Sequence, residues 1–346
     1  MSTPPAPEAP TAPSPWPTVA GAVALLTVTV SLLLIAFAWP SVRSSVHGVP
    51  IAVAGPAPAV ERITAVLDQR FPGGFDVTEV ADTTAAERLI RDREVYGAID
   101  LGSGTPRVIT ASAGSTAVAQ TLNGIATGLG QAPGTGTAAA ARDLVPLPSD
   151  DPRGAGLAAG ALPLVMGGLL SSLLLTRLVR GDARRVTGAL AFAVTGGLAV
   201  AAILQFWFGS LDGSYGANSG AVALTVAATS LTVLGLESLL GHAGFGLGAA
   251  TMMLIGNPLS GTATAPEMLP GRSGALGRLL PPGAGGRLLR STAFFDGRGA
   301  APSATVLAAW LTLGALLCLA GNLRHRPTAT DADTAAQRAP VATGRR

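Results

Sequence analysis

The sequence predicts an α-helical integral membrane protein with six transmembrane helices and a small extracytoplasmic α/β domain inserted between the first and second helices. Of the 346 residues, 48% are hydrophobic and only 12% are charged, a composition too apolar for a soluble domain. Uncharged runs of about 20 residues, the length that crosses a hydrocarbon core, recur along the chain. Between the first two runs, residues 41–153 have the charge distribution and mixed periodicity of a soluble domain.

The N-terminal part contains a tail and the first span. Residues 1–17 are rich in Pro, Ala, Ser and Thr, and they predict a disordered cytoplasmic tail. Residues 18–40 predict the first transmembrane helix. The small residues around Phe37 also suit a signal-peptide cleavage site, but the tail lacks a basic region and the run exceeds an apolar core of about 7–15 residues. We therefore expect this span to be retained.

The α/β domain is predicted from alternating strand and helix patterns. The apolar strand 50–54, the amphipathic helix 59–71 and the alternating strand 75–80 form one β-α-β unit. A second helix is expected from a cap at Asp82 through Arg93. The sequence further predicts strands at 96–101 and 107–110, a helix at 116–129 and a flexible connection at 128–141.

Residues 154–323 predict a bundle of five membrane helices. Residues 324–346 are expected to form a disordered cytoplasmic tail. A re-entrant or outer segment at 259–302 is expected because proline and glycine repeatedly break its short apolar pieces, and such backbone must be covered by protein or line a cavity. The predicted spans of the bundle are 155–176, 186–208, 219–240, 241–258 and 303–323.

The short segment 177–185, called the basic loop below, determines the predicted sidedness. It carries Arg177, Arg180, Arg184 and Arg185, and short arginine-rich loops stay in the cytoplasm. Counting spans from this loop predicts a multi-pass cell-membrane protein with both termini inside and the α/β domain outside. Five further arginines lie between residues 256 and 299, and by the same rule they favour a cytoplasmic location for the outer segment. The span count instead places this segment outside.

Several function classes are excluded by what the chain lacks. The chain has no lysine, and its arginines collect near span ends and do not form a nucleic-acid-binding stripe. No phosphate-binding glycine motif follows the Gly55-Pro56 turn, so we expect no nucleotide cofactor and no ATP hydrolysis by this chain.

Isolated polar residues do not make a catalytic or metal site. Ser112 and Ser115 lack an imidazole base apart from the distant His47, and Asp150 with Asp151 has no neighbouring ligands. We therefore expect no enzyme activity, no cofactor and no metal.

Polar and helix-breaking residues in the bundle are candidates for a transport path. Glu237 and His242 flank the turn between the fourth and fifth spans, where they could relay a proton or simply reach water at the span ends. The full candidate set of transport-path or gate residues is Glu237, His242, Asn257, Pro258, Pro266, Glu267, Pro270 and Pro281.

Two glycine pairs have the spacing that allows close approach of helices. They are Gly156 with Gly160 and Gly244 with Gly248. Since the chain has 45 glycines, we expect these pairs to serve packing, and a dimer contact is the alternative.

One span, an outward domain of about a hundred residues and five further spans resemble actinobacterial proteins of the ABC-2 permease superfamily, specifically its YhgE/Pip-like branch. The resemblance covers roughly residues 18–323. The motifs that carry it are Gly256-Asn257-Pro258-Leu259-Ser260-Gly261, Pro266-Glu267-Met268-Leu269-Pro270, Leu280-Pro281-Pro282-Gly283-Ala284, Leu288-Leu289-Arg290, Tyr96-Gly97-Ala98, Ala111-Ser112-Ala113-Gly114-Ser115 and Asp143-Leu144-Val145-Pro146-Leu147.

The resemblance implies a six-span permease subunit that forms a homodimer or heterodimer and exports a hydrophobic or lipid-like compound. A separate ATP-hydrolysing chain would supply the energy. The chain departs from the family because its proline-rich tail cannot form the usual amphipathic helix before the first span, which leaves the basic loop as the candidate ATPase contact. The alternative is a non-transporting surface protein whose α/β domain binds an envelope partner or a phage.

Overall fold

The structure, a computed structural model, describes residues 14–102, 105–130, 140–262 and 264–324. The α-helices are α1 (Trp16–Val42), α2 (Ala57–Arg70), α3 (Thr83–Arg91), α4 (Thr116–Gly130), α5 (Ala155–Leu178), α6 (Asp182–Ala202), α7 (Tyr215–Leu240), α8 (His242–Ala249), α9 (Ser273–Arg278), α10 (Pro281–Phe294) and α11 (Ala301–Arg324). The strands are β1 (Val49–Ala54), β2 (Phe75–Val80), β3 (Gly97–Asp100), β4 (Arg107–Thr110) and β5 (Ala140–Asp143). Most of both predicted tails lies outside the described residues.

Five of the described helices are long and apolar enough to cross a membrane, namely α1, α5, α6 with its extension, α7 and α11. The extension is a π-helical turn, Ile203–Trp207, at the end of α6. These helices support a multi-pass membrane protein, and four of them correspond to the predicted spans 18–40, 155–176, 219–240 and 303–323 with ends shifted by a few residues. The third predicted span, 186–208, begins earlier, at Asp182, whose carboxylate suits the first turn of a helix.

The fifth predicted span, 241–258, is not a continuous α-helix. α8 has 8 residues, and a π-helical stretch of 7 residues, Ala250–Gly256, continues it. Two 3₁₀ turns follow at Pro258–Ser260 and Pro266–Met268. α8 is too short to cross a hydrocarbon core of about 30 Å, since it rises only about 12 Å.

The α/β domain is built on a five-stranded mixed sheet with the order β2-β1-β3-β4-β5. β1 pairs in parallel with β2 and β3, and β4 runs antiparallel to β3. Helices α2 and α4 cover one face through Ile63, Leu67 and Leu122, and α3 covers the other through Ile90. The predicted β-α-β unit is thus observed.

Two local predictions in this domain need correction. The α3 helix ends at Arg91 rather than Arg93, because Arg93 adopts a left-handed conformation with φ 63°. The connection predicted at 128–141 contains the start of β5, whose four exposed residues lack a strand-like apolar pattern and pair only through their backbone with β4. Residues 131–139 of that connection lie outside the described residues.

Helix α7 is the centre of the bundle and is buried along most of its length. Small residues allow its neighbours to approach closely: Gly168 of α5 faces Thr229, and Gly314 of α11 faces the backbone of Leu231. The Ser171 and Ser230 hydroxyls, 2.8 Å apart, add an interhelical hydrogen bond. Such bonds stabilise membrane bundles by roughly 0.6 kcal/mol each, so close packing is the larger contribution.

The contacts also determine the relative directions of the helices. α11 runs parallel to α7, because Trp310 lies beside Thr232 and Gly321 beside Ser238. The chain after α7 must therefore return along the bundle before α11 begins. Residues 242–300, which make this passage, are called the return limb below.

Candidate functional site

The α/β domain is docked on the return limb by hydrogen bonds and apolar contacts. The backbone N–H of Ser45 donates to the carbonyl of Met268 at 3.0 Å, and the Ser115 hydroxyl donates to the carbonyl of Thr264 at 3.1 Å. Met268 is buried in the apolar cluster of the sheet. An ion pair of 2.9 Å joins Arg298 of the limb to Asp92. The domain and the limb therefore share one interface.

A polar cavity of about 180 Å³ lies in this interface. It is much larger than the roughly 10–15 Å³ that one water molecule requires. Its lining residues come from both sides of the interface: Pro50, Ile90, Arg93, Glu94, Val95, Tyr96, Ala111, Gly114, Glu267, Arg278, Arg287 and Phe295.

Arg93 reaches from the end of α3 across the interface. Its guanidinium donates to the carbonyl oxygen of Arg287 at 2.8 Å and to the Ser291 hydroxyl, and it stacks 5.1 Å from the centre of the Phe295 ring. Burial, followed by the positive charges of Arg287 and Arg290, lowers the pKa of Arg93. The left-handed backbone at this residue directs the side chain onto α10 instead of continuing α3.

Glu267 connects Tyr96 of the α/β domain to Arg278 of α9. The Tyr96 hydroxyl donates to Glu267 Oε2 at 2.8 Å, and Arg278 forms an ion pair with Glu267 Oε1. Burial, and then the Glu267 carboxylate, raises the pKa of Tyr96 to about 12. Tyr96 is therefore a neutral hydrogen-bond donor, and the Glu267 side chain accepts from both neighbours.

Positive charge is in excess around this cavity. Three arginines line it, Arg93, Arg278 and Arg287, against two carboxylates, those of Glu267 and the exposed Glu94. Within the described part of the chain, the Arg287 guanidinium has no hydrogen-bond or ion-pair partner.

Two further polar atoms are left without partners close to the cavity. The buried Nε–H groups of Arg278 and Arg290 donate to no protein acceptor among the described residues. Arg290 uses its Nη2 to donate to the carbonyl of Thr262 at 3.1 Å. The limb therefore carries unused donor groups near its contact with the α/β domain.

Five of the other candidate residues lie on the part of the return limb that follows α8. Asn257 and Pro258 line a second cavity of about 190 Å³ between the limb and the end of α1. Pro266 opens a 3₁₀ turn, and Pro281 is the first residue of α10. The Pro270 carbonyl accepts from the Ser273 hydroxyl at 2.7 Å. These prolines occur where helices begin or where the chain turns, as proline favours.

Glu237 and His242 lie at the opposite end of the bundle and do not touch the arginine-lined cavity. Glu237 is half-buried and accepts from the Thr176 hydroxyl at 3.3 Å, whereas His242 is exposed at the start of α8. Among the described contacts, no hydrogen bond or ion pair joins these two residues.

The basic loop is shorter than its sequence suggests, because only residues 179–181 lie between α5 and α6. Arg177, Arg180 and Arg184 are exposed. Arg185 is instead part of the turn: its guanidinium donates to the carbonyls of Val179 at 2.8 Å and Thr176 at 3.1 Å. Three arginines of this loop are thus open to a partner.

The serine and aspartate residues considered for chemistry have structural contacts. The Ser112 hydroxyl accepts from the Leu147 N–H at 3.1 Å. Asp151 accepts from the first N–H groups of α5, those of Ala155 and Gly156, both at 2.7 Å. Within the described residues, no group of three or more His, Cys, Asp or Glu side chains could hold a metal ion.

The chain matches no family model, no curated protein and no solved structure in comparisons with known proteins.

Sequence reasoning missed most of the residues of the arginine-lined cavity. Glu267 was a candidate, but Arg93, Arg287 and Ser291 were not. One signal was present in the sequence: the outer segment carries five arginines, more than a segment predicted to lie on the outer side of the membrane should have. In the structure, Arg278 and Arg298 pair with acidic side chains at the domain interface. These two ion pairs at the contact with the α/β domain are a structural role for Arg278 and Arg298.

Proposed function

We propose that this chain is the membrane permease subunit of an ABC-2-like exporter, which moves a hydrophobic or lipid-like compound out of the cell and is energised by a separate ATPase chain. The observation that carries the proposal is the discontinuous return limb. Its π-helical stretch and 3₁₀ turns pack against the central helices and the α/β domain. Broken helices of this kind form substrate paths in transporters, because their freed backbone groups line a cavity.

The limb also borders apolar space inside the bundle. A narrow cavity lies between α5, the middle of α7 and the start of α10, lined by Leu164, Thr225, Pro282 and Leu289 among others. It is small and mostly apolar, which suits the closed state of a path for a hydrophobic compound. Asn257, Pro258, Pro266, Glu267, Pro270 and Pro281 are the proposed path or gate residues on the limb, and Glu237 and His242 are the proposed residues at its other end.

The proposed topology has six spans, with α8 and the rest of the limb completing the fifth. The parallel direction of α7 and α11 supports this topology, since the chain must return to the α/β end of the bundle before α11 begins. The basic loop then lies in the cytoplasm, both termini are inside and the α/β domain is outside. In this proposal the protein is a cell-membrane protein that forms a homodimer or heterodimer.

Energy coupling is assigned to the basic loop. Arg177, Arg180 and Arg184 are exposed at the end of the bundle opposite the α/β domain, where an ATPase would dock. Arg185 is held by the turn itself and is expected to shape the loop rather than to contact the partner. The chain itself has no phosphate loop, so hydrolysis belongs to the partner.

The test is affinity purification of the tagged full chain from its native membrane in mild detergent, followed by mass spectrometry. We expect a stoichiometric partner chain with a phosphate-binding loop. An R180E/R184E double variant should lose that partner. The matched control, R62E/R88E, reverses two exposed charges on the α/β domain and should keep it.

Recovery of the wild-type chain alone, or only with envelope proteins, would overturn the exporter proposal. It would favour the surface-protein alternative, in which the α/β domain binds a partner.

Sidedness is tested separately with single cysteines and a membrane-impermeant maleimide. Cys318 is the only cysteine of the chain and is buried, so C318S provides the background. Glu79→Cys and Ala301→Cys should react in intact cells, whereas Arg180→Cys should react only after permeabilisation. Protection of the cysteine at position 301 in intact cells would refute the sixth span.

A further inference from the structure

We propose that the cavity between the α/β domain and the return limb binds a phosphate group, either free phosphate or the headgroup of an anionic lipid. The proposal concerns binding by this chain alone and does not depend on transport or on an ATPase. It assigns a ligand class to a cavity of which the exporter proposal uses a single lining residue, Glu267.

The first observation is convergence of guanidinium groups from three elements. Arg93 comes from the residues after α3, Arg278 from α9 and Arg287 from α10, and all three line the cavity. Arginine presents a planar fork of donors that matches phosphate oxygens. Three forks from different directions suit a tetrahedral anion better than a planar carboxylate.

The second observation is that protein acceptors use only some of the donors on these three arginines. Glu267 is shared by Arg278 and Tyr96, and Arg93 uses a carbonyl and the Ser291 hydroxyl. Arg287 has no partner among the described side chains and carbonyls. Glu94 lines the cavity but is exposed, so water screens its charge.

The third observation is the arrangement of charges on the limb. Arg287 and Arg290 both lie close enough to Arg93 for their positive charges to disfavour the charged form of Arg93. The positive charges beside the cavity repel one another, and an anion bound between them would attract each of them. The excess of positive charge therefore favours binding of an anion in the cavity.

The experiment uses the purified full chain in an uncharged detergent at constant ionic strength. Radiolabelled inorganic phosphate is titrated, and native mass spectrometry measures retention of phosphatidylglycerol against phosphatidylcholine. We expect saturable binding of one phosphate or one phosphatidylglycerol per chain. R287Q should weaken that binding by roughly tenfold or more, the effect of removing a charge-assisted hydrogen bond.

The matched control is R272Q. Arg272 lies on the same limb and carries the same charge, but it is exposed and does not line the cavity. R272Q should bind as the wild type does. R287Q should remain folded, as size-exclusion chromatography and circular dichroism can verify, because the side chain that it replaces has no protein partner. R287K should bind at an intermediate level, since it keeps the charge and loses the fork.

The outcomes separate the two sources of phosphate. Binding of inorganic phosphate that depends on Arg287 supports a free anion. Retention of phosphatidylglycerol that depends on Arg287, without binding of inorganic phosphate, supports a lipid headgroup. Absence of both from the folded wild-type chain overturns the proposal, as does an equal loss in R272Q and R287Q.

Discussion

The contact between α8 and α7 depends on the absence of a side chain at Gly244. A methyl group there would overlap the carbonyl group of Leu236 and lie 2.9 Å from the backbone nitrogen of Glu237. Because these are backbone atoms of a helix, they cannot rotate away. Gly244→Ala must therefore push α8 away from α7.

The cost follows from the distances. Ordinary carbon contacts are about 3.5–4.0 Å, so α8 has to retreat by roughly 1 Å or more. Overpacking of this kind costs about 1–3 kcal/mol, and the better helix propensity of alanine offsets roughly 0.5–1 kcal/mol. We expect a net loss of about 1–2 kcal/mol. At roughly 2–4 °C per kcal/mol, the Tm falls by a few degrees.

The assay is thermal unfolding of the detergent-solubilised chain, with all variants scanned at one rate because membrane-protein unfolding is often irreversible. Gly246→Ala is the matched control. It lies on the same helix, and a methyl group there meets no atom within 4 Å. Its Tm should stay constant or rise slightly. Equal Tm values for the two variants would refute the proposed close contact.

Three further predictions concern contacts elsewhere in the chain. Asp151→Ala removes the acceptor for the first N–H groups of α5 and should cost about 1 kcal/mol in thermal unfolding, whereas exposed Asp150→Ala should cost much less. The pKa of Tyr96 is raised to about 12 in the folded chain, so its contribution to stability is complete below pH 10 and is lost between pH 10 and 12. The Tm of the wild type should therefore fall more steeply over this pH range than the Tm of Tyr96→Phe. Ser230→Ala breaks the hydrogen bond to Ser171, and its effect on Tm should be smaller than that of Gly244→Ala, since membrane hydrogen bonds contribute only about 0.6 kcal/mol.

Parts of the candidate site were predictable because they depend on local chain chemistry. Proline and glycine break helices wherever they occur, so the irregular segment after Gly256 was evident from the sequence. The Gly244–Gly248 spacing likewise predicted close packing, and both residues face α7 within this chain. The Asp82 cap of α3 is observed, with its carboxylate accepting from Ala85 N–H at 2.8 Å.

The arginine-lined cavity could not be predicted, because its residues are far apart in the sequence. Arg93 and Ser291 are separated by 198 positions, and Tyr96 and Glu267 by 171. No local periodicity encodes such a meeting. It arises when the α/β domain docks on the return limb, and the left-handed turn at Arg93 then directs that side chain across the interface.

The sequence by itself determined the membrane class of the protein, the α/β insertion, four of the long helices to within a few residues and the breaks after Gly256. These features follow from hydrophobic length, periodicity and helix-breaking residues, which act over a few turns of chain. Only the tertiary structure decided that α11 runs parallel to α7, that the return limb is broken from its π-helical stretch onward, and that the arginines of the limb face the α/β domain. Those features depend on which surfaces of distant segments fit together, through close packing of small residues and ion pairs across the domain interface.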